Sequence, residues 1–140
     1  MQNSSYSVML AKIQAHRHTE EIIKKSLDEF DVTIREWLFL GSLKLHNQDS
    51  TSGVIAKEIH VSSALISRLT KVLQAKGMIK VVQPEDDKRS RRITLTDKGN
   101  KVIEQSDPVV RRTLREWLAP IKREHVDIYI DVLLQVAYKL

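Results

Sequence analysis

The stretch from Gly53 to Gly99 leaves this chain few ways to fold. Its centre reads as a helix from about Ser63 to Lys76, in which Leu65, Leu69, Val72 and Leu73 fall on one face at the spacing of a buried stripe. Ser63, Ser67, Thr70 and Gln74 fall on the opposite face, with Lys71 beside them. Arg68 stands at the flank, where its stem can lie on apolar surface while its head reaches out. An exposed face of short hydroxyls and cations suits the floor of a DNA major groove. Hydroxyls can hydrogen-bond base edges or phosphates there, and cations meet phosphates. For this helix taken alone, an ordinary solvated face is an equal alternative.

The flanks decide between them. Ser62 precedes the helix as an N-cap candidate, Val61 can plug the turn behind it, and Gly77 follows where a left-handed residue is wanted. Upstream, Val54, Ile55 and Ile59 give a short helix with one apolar side, and small Ala56 allows close crossing. That is a helix-turn-helix pattern. Downstream, MIKVVQ and RRITLT are β-prone runs on either side of the charged, turn-rich EDDKRS. Pro84 falls where the strand meets the tip, so it need not donate to the ladder. A helix-turn-helix followed by a two-stranded ribbon is a winged helix.

Charge agrees. Between Gly53 and Leu95 there are nine Lys/Arg and four acids, a net +5, which is also the value for the whole chain. The remaining segments balance, so all the excess positive charge lies on the helix and ribbon that would meet a polyanion.

At the residue level, Asp87-x-Arg89-Ser90 followed by Ile93-Thr94-Leu95-Thr96-x-x-Gly99 resembles the wing signature of MarR/SlyA-type transcriptional regulators. Ser67-Arg68-Leu69 and Leu73-x-x-x-Gly77-Met78-Ile79 resemble the matching recognition-helix segment. The wing pattern is the more specific of the two, and the layout of flanking helices extends the resemblance over the whole chain. It implies a homodimeric regulator of double-stranded DNA whose wing arginine enters the minor groove. It also implies a pocket between the DNA-binding and dimer helices for a small aromatic or anionic ligand. By location alone, His16, Arg17 and Trp37 are candidate lining residues.

A chain of 140 residues is one domain by size. No apolar run approaches the roughly 18 residues that span a bilayer, and no polybasic amphipathic segment suggests a membrane surface. MQNSSYSVMLAK has neither a basic leader nor a clear cleavage pattern, so a cytoplasmic location is expected. With no Cys, thiol redox sensing and cysteine-zinc sites are excluded.

From about Tyr6 to Phe30 a long helix is expected, apolar at both ends and polar from Ala15 to Glu21. Thr33 with Glu36 three residues on is a capping box that opens a densely apolar helix through Trp37 to Leu45. His46 to Ser52 is polar and reads as a loop. Thr96 caps the next helix, which should break or kink at Ser106-Asp107-Pro108. A last helix runs from about Lys122 to Leu140 with a wide apolar side. A winged core needs only the middle of the chain, so the terminal helices of two copies are expected to cover each other.

His16-x-His18 cannot share a metal on a helix, because i and i+2 face apart. Glu85-Asp86-Asp87 beside Lys88, Arg89, Arg91 and Arg92 reads as a self-paired wing tip rather than a metal or acid/base cluster. No phosphate loop, nucleophile elbow or HExxH is present. The sequence is therefore read as a mainly α protein with a small β-wing, without enzyme activity, cofactor or metal. Residues 31–99 form the winged helix-turn-helix region, and residues 1–30 and 100–140 form dimerisation helices. The expected function is a repressor that binds palindromic DNA as a homodimer, with release by a small ligand. Ser63, Ser67, Arg68 and Lys71 would enter or flank the major groove. Arg89, with Lys88 and Arg91, would reach a minor groove or its phosphates, while Asp87 would hold the hairpin tip. The alternative is a winged-helix interaction module that binds acidic protein partners with the same surface.

Overall fold

The computed structural model describes residues 3–83 and 91–139. Helix α1 (Ser5–Leu27) ends in a 3-10 turn over Asp28–Phe30. It is followed by α2 (Ile34–Leu45), strand β1 (Asp49–Thr51), α3 (Ser52–Glu58) and α4 (Ser63–Ala75). Strands β2 (Ile79–Val82) and β3 (Arg92–Leu95) flank the wing tip, and α5 (Asp97–Trp117) and α6 (Arg123–Tyr138) close the chain. The sheet is antiparallel in the order β1-β3-β2. This is a winged helix-turn-helix framed by long terminal helices.

The helix starts are set locally. The Thr33 hydroxyl accepts from the Glu36 N–H at 3.2 Å, and the Glu36 carboxylate accepts from the Thr33 N–H at 2.9 Å, which is the reciprocal capping box. Ser62 caps α4 by accepting from the Leu65 N–H at 3.1 Å, and Thr96 caps α5 by accepting from the Gly99 N–H at 3.1 Å. At the end of α4, Gly77 adopts φ +74°. Its N–H donates to Gln74 and the Met78 N–H donates to Leu73, both at 3.0 Å, so two carbonyls that the helix would leave unpaired are satisfied.

The core sits where α2 meets the helix-turn-helix. Phe39, Leu40 and Leu43 of α2, Ile55 of α3, Leu73 of α4 and Ile93 of β3 are fully enclosed there. Leu38 and Leu45 of the same apolar α2 run face outward. Trp37 donates its indole N–H to the buried Ser106 hydroxyl at 3.0 Å, which joins α2 to α5.

Three expectations need correction. Residues 46–52 are not simply loop: β1 lies within them and makes the wing a three-stranded sheet, because β3 has a free edge that Asp49–Thr51 can pair. Helix α5 does not break at Pro108 but continues through it. Pro108 lies on the exposed side, while Ser106 and Val110 around it are buried. In α4 the inward stripe is Ile66, Leu69 and Leu73, with Leu65 only half-buried and Val72 exposed, so the helix is rolled toward Ile66 relative to the stripe read from sequence.

The terminal helices are covered poorly by their own chain. Helix α6 has no buried residue, and Ile128, Tyr129, Leu133, Val136 and Tyr138 are all exposed. The first turns of α1 likewise present Tyr6, Met9, Leu10 and Ile13.

Candidate nucleic-acid interface

The roll of α4 turns Lys71 and Ser67 outward, with Arg68 and Ser63 also exposed on the helix. Between α4 and the wing lies an open groove of about 600 Å³. Ser67, Lys71 and Gln74 line one wall, and Val81, Gln83 and Arg91 line the other. Three of the residues singled out from sequence, Ser67, Lys71 and Arg91, thus come together. Ser63 and Arg68 lie outside the groove lining. Thr70 reaches the groove, but its hydroxyl donates to the Ile66 carbonyl of its own helix at 2.7 Å. Asp87, Lys88 and Arg89 lie outside the described residues.

Polar ties fix this surface to the core. Lys76, at the end of α4, donates to the Glu36 carboxylate at 2.8 Å and to the Asp31 carbonyl at 2.6 Å. Glu36 is buried, and burial by itself pushes its carboxyl up. The Lys76 ammonium and the Thr33 N–H and hydroxyl outweigh that effect and hold the carboxyl below its ordinary value. Glu58 at the end of α3 accepts from the Ser42 hydroxyl and pairs with His46, both on the α2 side. The Ser42 hydrogen bond is the main reason its carboxyl also lies below the ordinary range. On the wing, Arg92 of β3 forms a two-pronged pair with Asp49 of β1, with Nε 3.0 Å from both carboxylate oxygens and a terminal nitrogen 2.9 Å from one. Neither Glu58 nor Asp49 carries a sequence signal for these roles, because each partner is distant along the chain.

The residues considered for a ligand pocket lie on different surroundings. His16 and Arg17 are exposed on the middle of α1, in pairs with Glu20 at 3.3 Å and Glu21 at 3.4 Å. Among the described residues no hydrogen bond or ion pair joins either of them to Trp37, whose indole is committed to Ser106. No group of three His, Cys, Asp or Glu side chains could hold a metal, and no helix is long and apolar enough to cross a membrane, again among the described residues.

Residues 30–90, which take in α2, the helix-turn-helix and β2 and stop short of β3, match the sequence profile of the MarR family. The HTH-type transcriptional regulator YdgJ of Bacillus subtilis is 32% identical over 96 residues, which cover 69% of this chain and 58% of that relative. The helix-turn-helix region of this chain is similar to that of the MarR family. The chain also superposes over its full length on a MarR-family transcriptional regulator from Rhodococcus sp. RHA1, with a TM-score of 0.88 at 16% identity and 99% of that chain covered. It resembles a mutant MarR of E. coli complexed with operator DNA, with a TM-score of 0.79 at 19% identity. That likeness covers 97% of this chain and 99% of the E. coli one. At such identities the structural likeness is one of fold. The chain spans less than two thirds of the length of its Bacillus relative.

Proposed function

We propose that this chain is a MarR-family transcriptional regulator, not an enzyme, that binds palindromic double-stranded DNA as a homodimer and acts as a repressor. The observation that carries the reading is the groove in which Ser67 and Lys71 of α4 face Arg91 of the wing, on the part of the chain that holds its excess positive charge. Residues 31–99 then form the DNA-binding region. Ser63, Ser67, Arg68 and Lys71 meet the major groove, and Arg91 with Lys88 and Arg89 meets the adjacent minor groove or its phosphates. The fold of an operator-bound MarR supports the same use of the surface.

Residues 1–30 and 100–140 supply the dimer contact in this reading. Their support is the apolar surface that α1 and α6 leave exposed. A two-fold dimer also gives two α4 helices the spacing that helix-turn-helix proteins use on palindromic sites. Deleting residues 122–140 is expected to yield a monomer in sedimentation and to abolish tight binding to a palindrome. A deletion product that stays dimeric would refute the assignment.

Recovery of genomic fragments on purified protein, followed by binding assays across a salt series, tests the DNA reading. Lys71→Ala is expected to weaken operator and random duplex together and to flatten the salt slope by about one unit for each phosphate that the lysine neutralises. Ser67→Ala and Arg68→Ala should instead narrow the gap between operator and random sequence, on the scale of about 1–3 kcal/mol per good base contact. A wild-type protein with little affinity for duplex DNA at any salt would point to a protein-interaction module.

A further inference from the structure

We propose that Asp49 is a positioning residue for DNA binding: through Arg92 it fixes the root of the wing so that Arg91 faces α4. The inference rests on the DNA-binding reading above and adds a role for an acid on a surface that would otherwise exclude one.

The geometry begins with strand parity. Successive residues of β3 point to opposite faces, so Ile93 and Leu95 are buried while Arg92 is turned to solvent. Arg91 falls on the parity of Ile93, and both line the groove against α4. Arg92 cannot share that face. It crosses instead to β1, where Thr51 is its Cα partner, and reaches the Asp49 carboxylate with two nitrogens. A two-pronged guanidinium–carboxylate pair constrains angle as well as distance. β1 is only three residues long, and its C-terminal residue, Thr51, caps α3 by accepting from the Val54 N–H at 3.4 Å. The pair therefore locks the last residue of the wing ladder to the strand that starts the helix-turn-helix.

The pair is about half exposed, so its contribution to stability is small. Its consequence lies in register. A slip of β3 by one residue would bring Arg92 to the groove face and turn Arg91 away.

Electrostatics alone predicts the opposite of this role. Removing Asp49 frees a cation and takes a negative charge off a surface that meets a polyanion, which should tighten binding. The positioning role predicts weaker binding. The test compares wild type, Asp49→Asn, Arg92→Lys and the exchanged pair Asp49→Arg with Arg92→Asp, each at several salt concentrations. Folding is checked by circular dichroism, and duplexes recovered with the wild-type protein serve as probe. Asp49→Asn is expected to weaken binding at least fivefold and to flatten the salt slope, because Arg91 is no longer held to its phosphate. Arg92→Lys, which keeps the charge but loses the second prong, should weaken it as well. The exchanged pair should recover most of the affinity.

Tighter or unchanged binding by folded Asp49→Asn would overturn the proposal. So would an exchanged pair no better than Asp49→Asn alone. Absence of DNA binding by the wild-type protein would refute the DNA-binding reading instead, so the two failures are distinguishable.

Discussion

Gly99→Ala is expected to cost this protein about 3 kcal/mol of stability or more, and to lower Tm by about 10 °C. A Cβ at Gly99 would stand 2.0 Å from the Met78 carbonyl oxygen and 2.9 Å from its carbonyl carbon. Both are backbone atoms, so no rotamer change can relieve the overlap. The Met78 carbonyl is also engaged, since it accepts from the Thr96 N–H at 3.1 Å. The Thr96 hydroxyl donates in turn to the Gly77 carbonyl at 2.6 Å. Room for a methyl group therefore requires the start of α5 to move off the corner that follows α4. Gly41 is the internal control. It lies inside α2, and a Cβ there meets nothing within 4 Å. Gly41→Ala should gain up to about 1 kcal/mol, because alanine has less backbone entropy to lose in a helix. Urea denaturation of the two variants beside wild type decides the matter. A Gly99→Ala protein as stable as wild type would mean that the corner is soft.

Lys76→Met is expected to lose about 2–3 kcal/mol at neutral pH, since it leaves the buried Glu36 carboxylate without its cation. The pH dependence has a definite sign. In the wild-type protein the Glu36 carboxyl is held below its ordinary value, so its contribution is present above that value. It is lost as pH falls through the lower, folded value. Without Lys76 only the Thr33 hydrogen bonds oppose the effect of burial, and the folded carboxyl shifts upward. Protonation then relieves the variant as pH drops, and its deficit should narrow as pH falls from the variant's upshifted value, through the ordinary glutamate value of about 4.3, to the lowered value of the wild type. Glu36→Gln in the same protein should recover much of the loss at pH 7, because the amide can still accept from the Thr33 N–H. A deficit that stays constant from pH 7 down to about pH 3, well below the ordinary glutamate value, would show that the lysine acts only through its contacts with Asp31.

Features encoded by neighbours along the chain were legible in the sequence. The Thr33–Glu36 box, the Ser62 and Thr96 caps and the left-handed Gly77 each need only a few consecutive residues, and each stands where local chemistry puts it. The outward cations of α4 and the basic wing root were legible from charge and period. Three features escaped because they are decided across the fold. Asp49-Ser50-Thr51 has no apolar alternation and becomes a strand only because β3 offers an edge. Pro108 reads as a break, yet Trp37 and the core hold Ser106 and Val110 on either side of it. Leu65 and Val72 are as apolar as Ile66 and Leu73, and only packing against α2 and the sheet chooses which edge of the stripe turns inward. The ties made by Glu36 with Lys76, Glu58 with Ser42 and His46, and Asp49 with Arg92 were hidden for the same reason.

The uninterrupted course of α5 has a mechanical consequence. At 1.5 Å per residue its 21 residues make a rod of about 31 Å. One end is seated against Gly77 and Met78, directly behind α4. The other ends at Trp117, beside the exposed apolar stretch that leads into α6. A hinge at Pro108 would have absorbed motion between these ends, and a continuous helix transmits it. A tilt of only about 5° about the seated end carries the far end through nearly 3 Å, roughly the distance between consecutive base pairs. Whatever grips the distal half of α5 thereby holds the free end of a long arm whose seated end abuts the turn that follows α4.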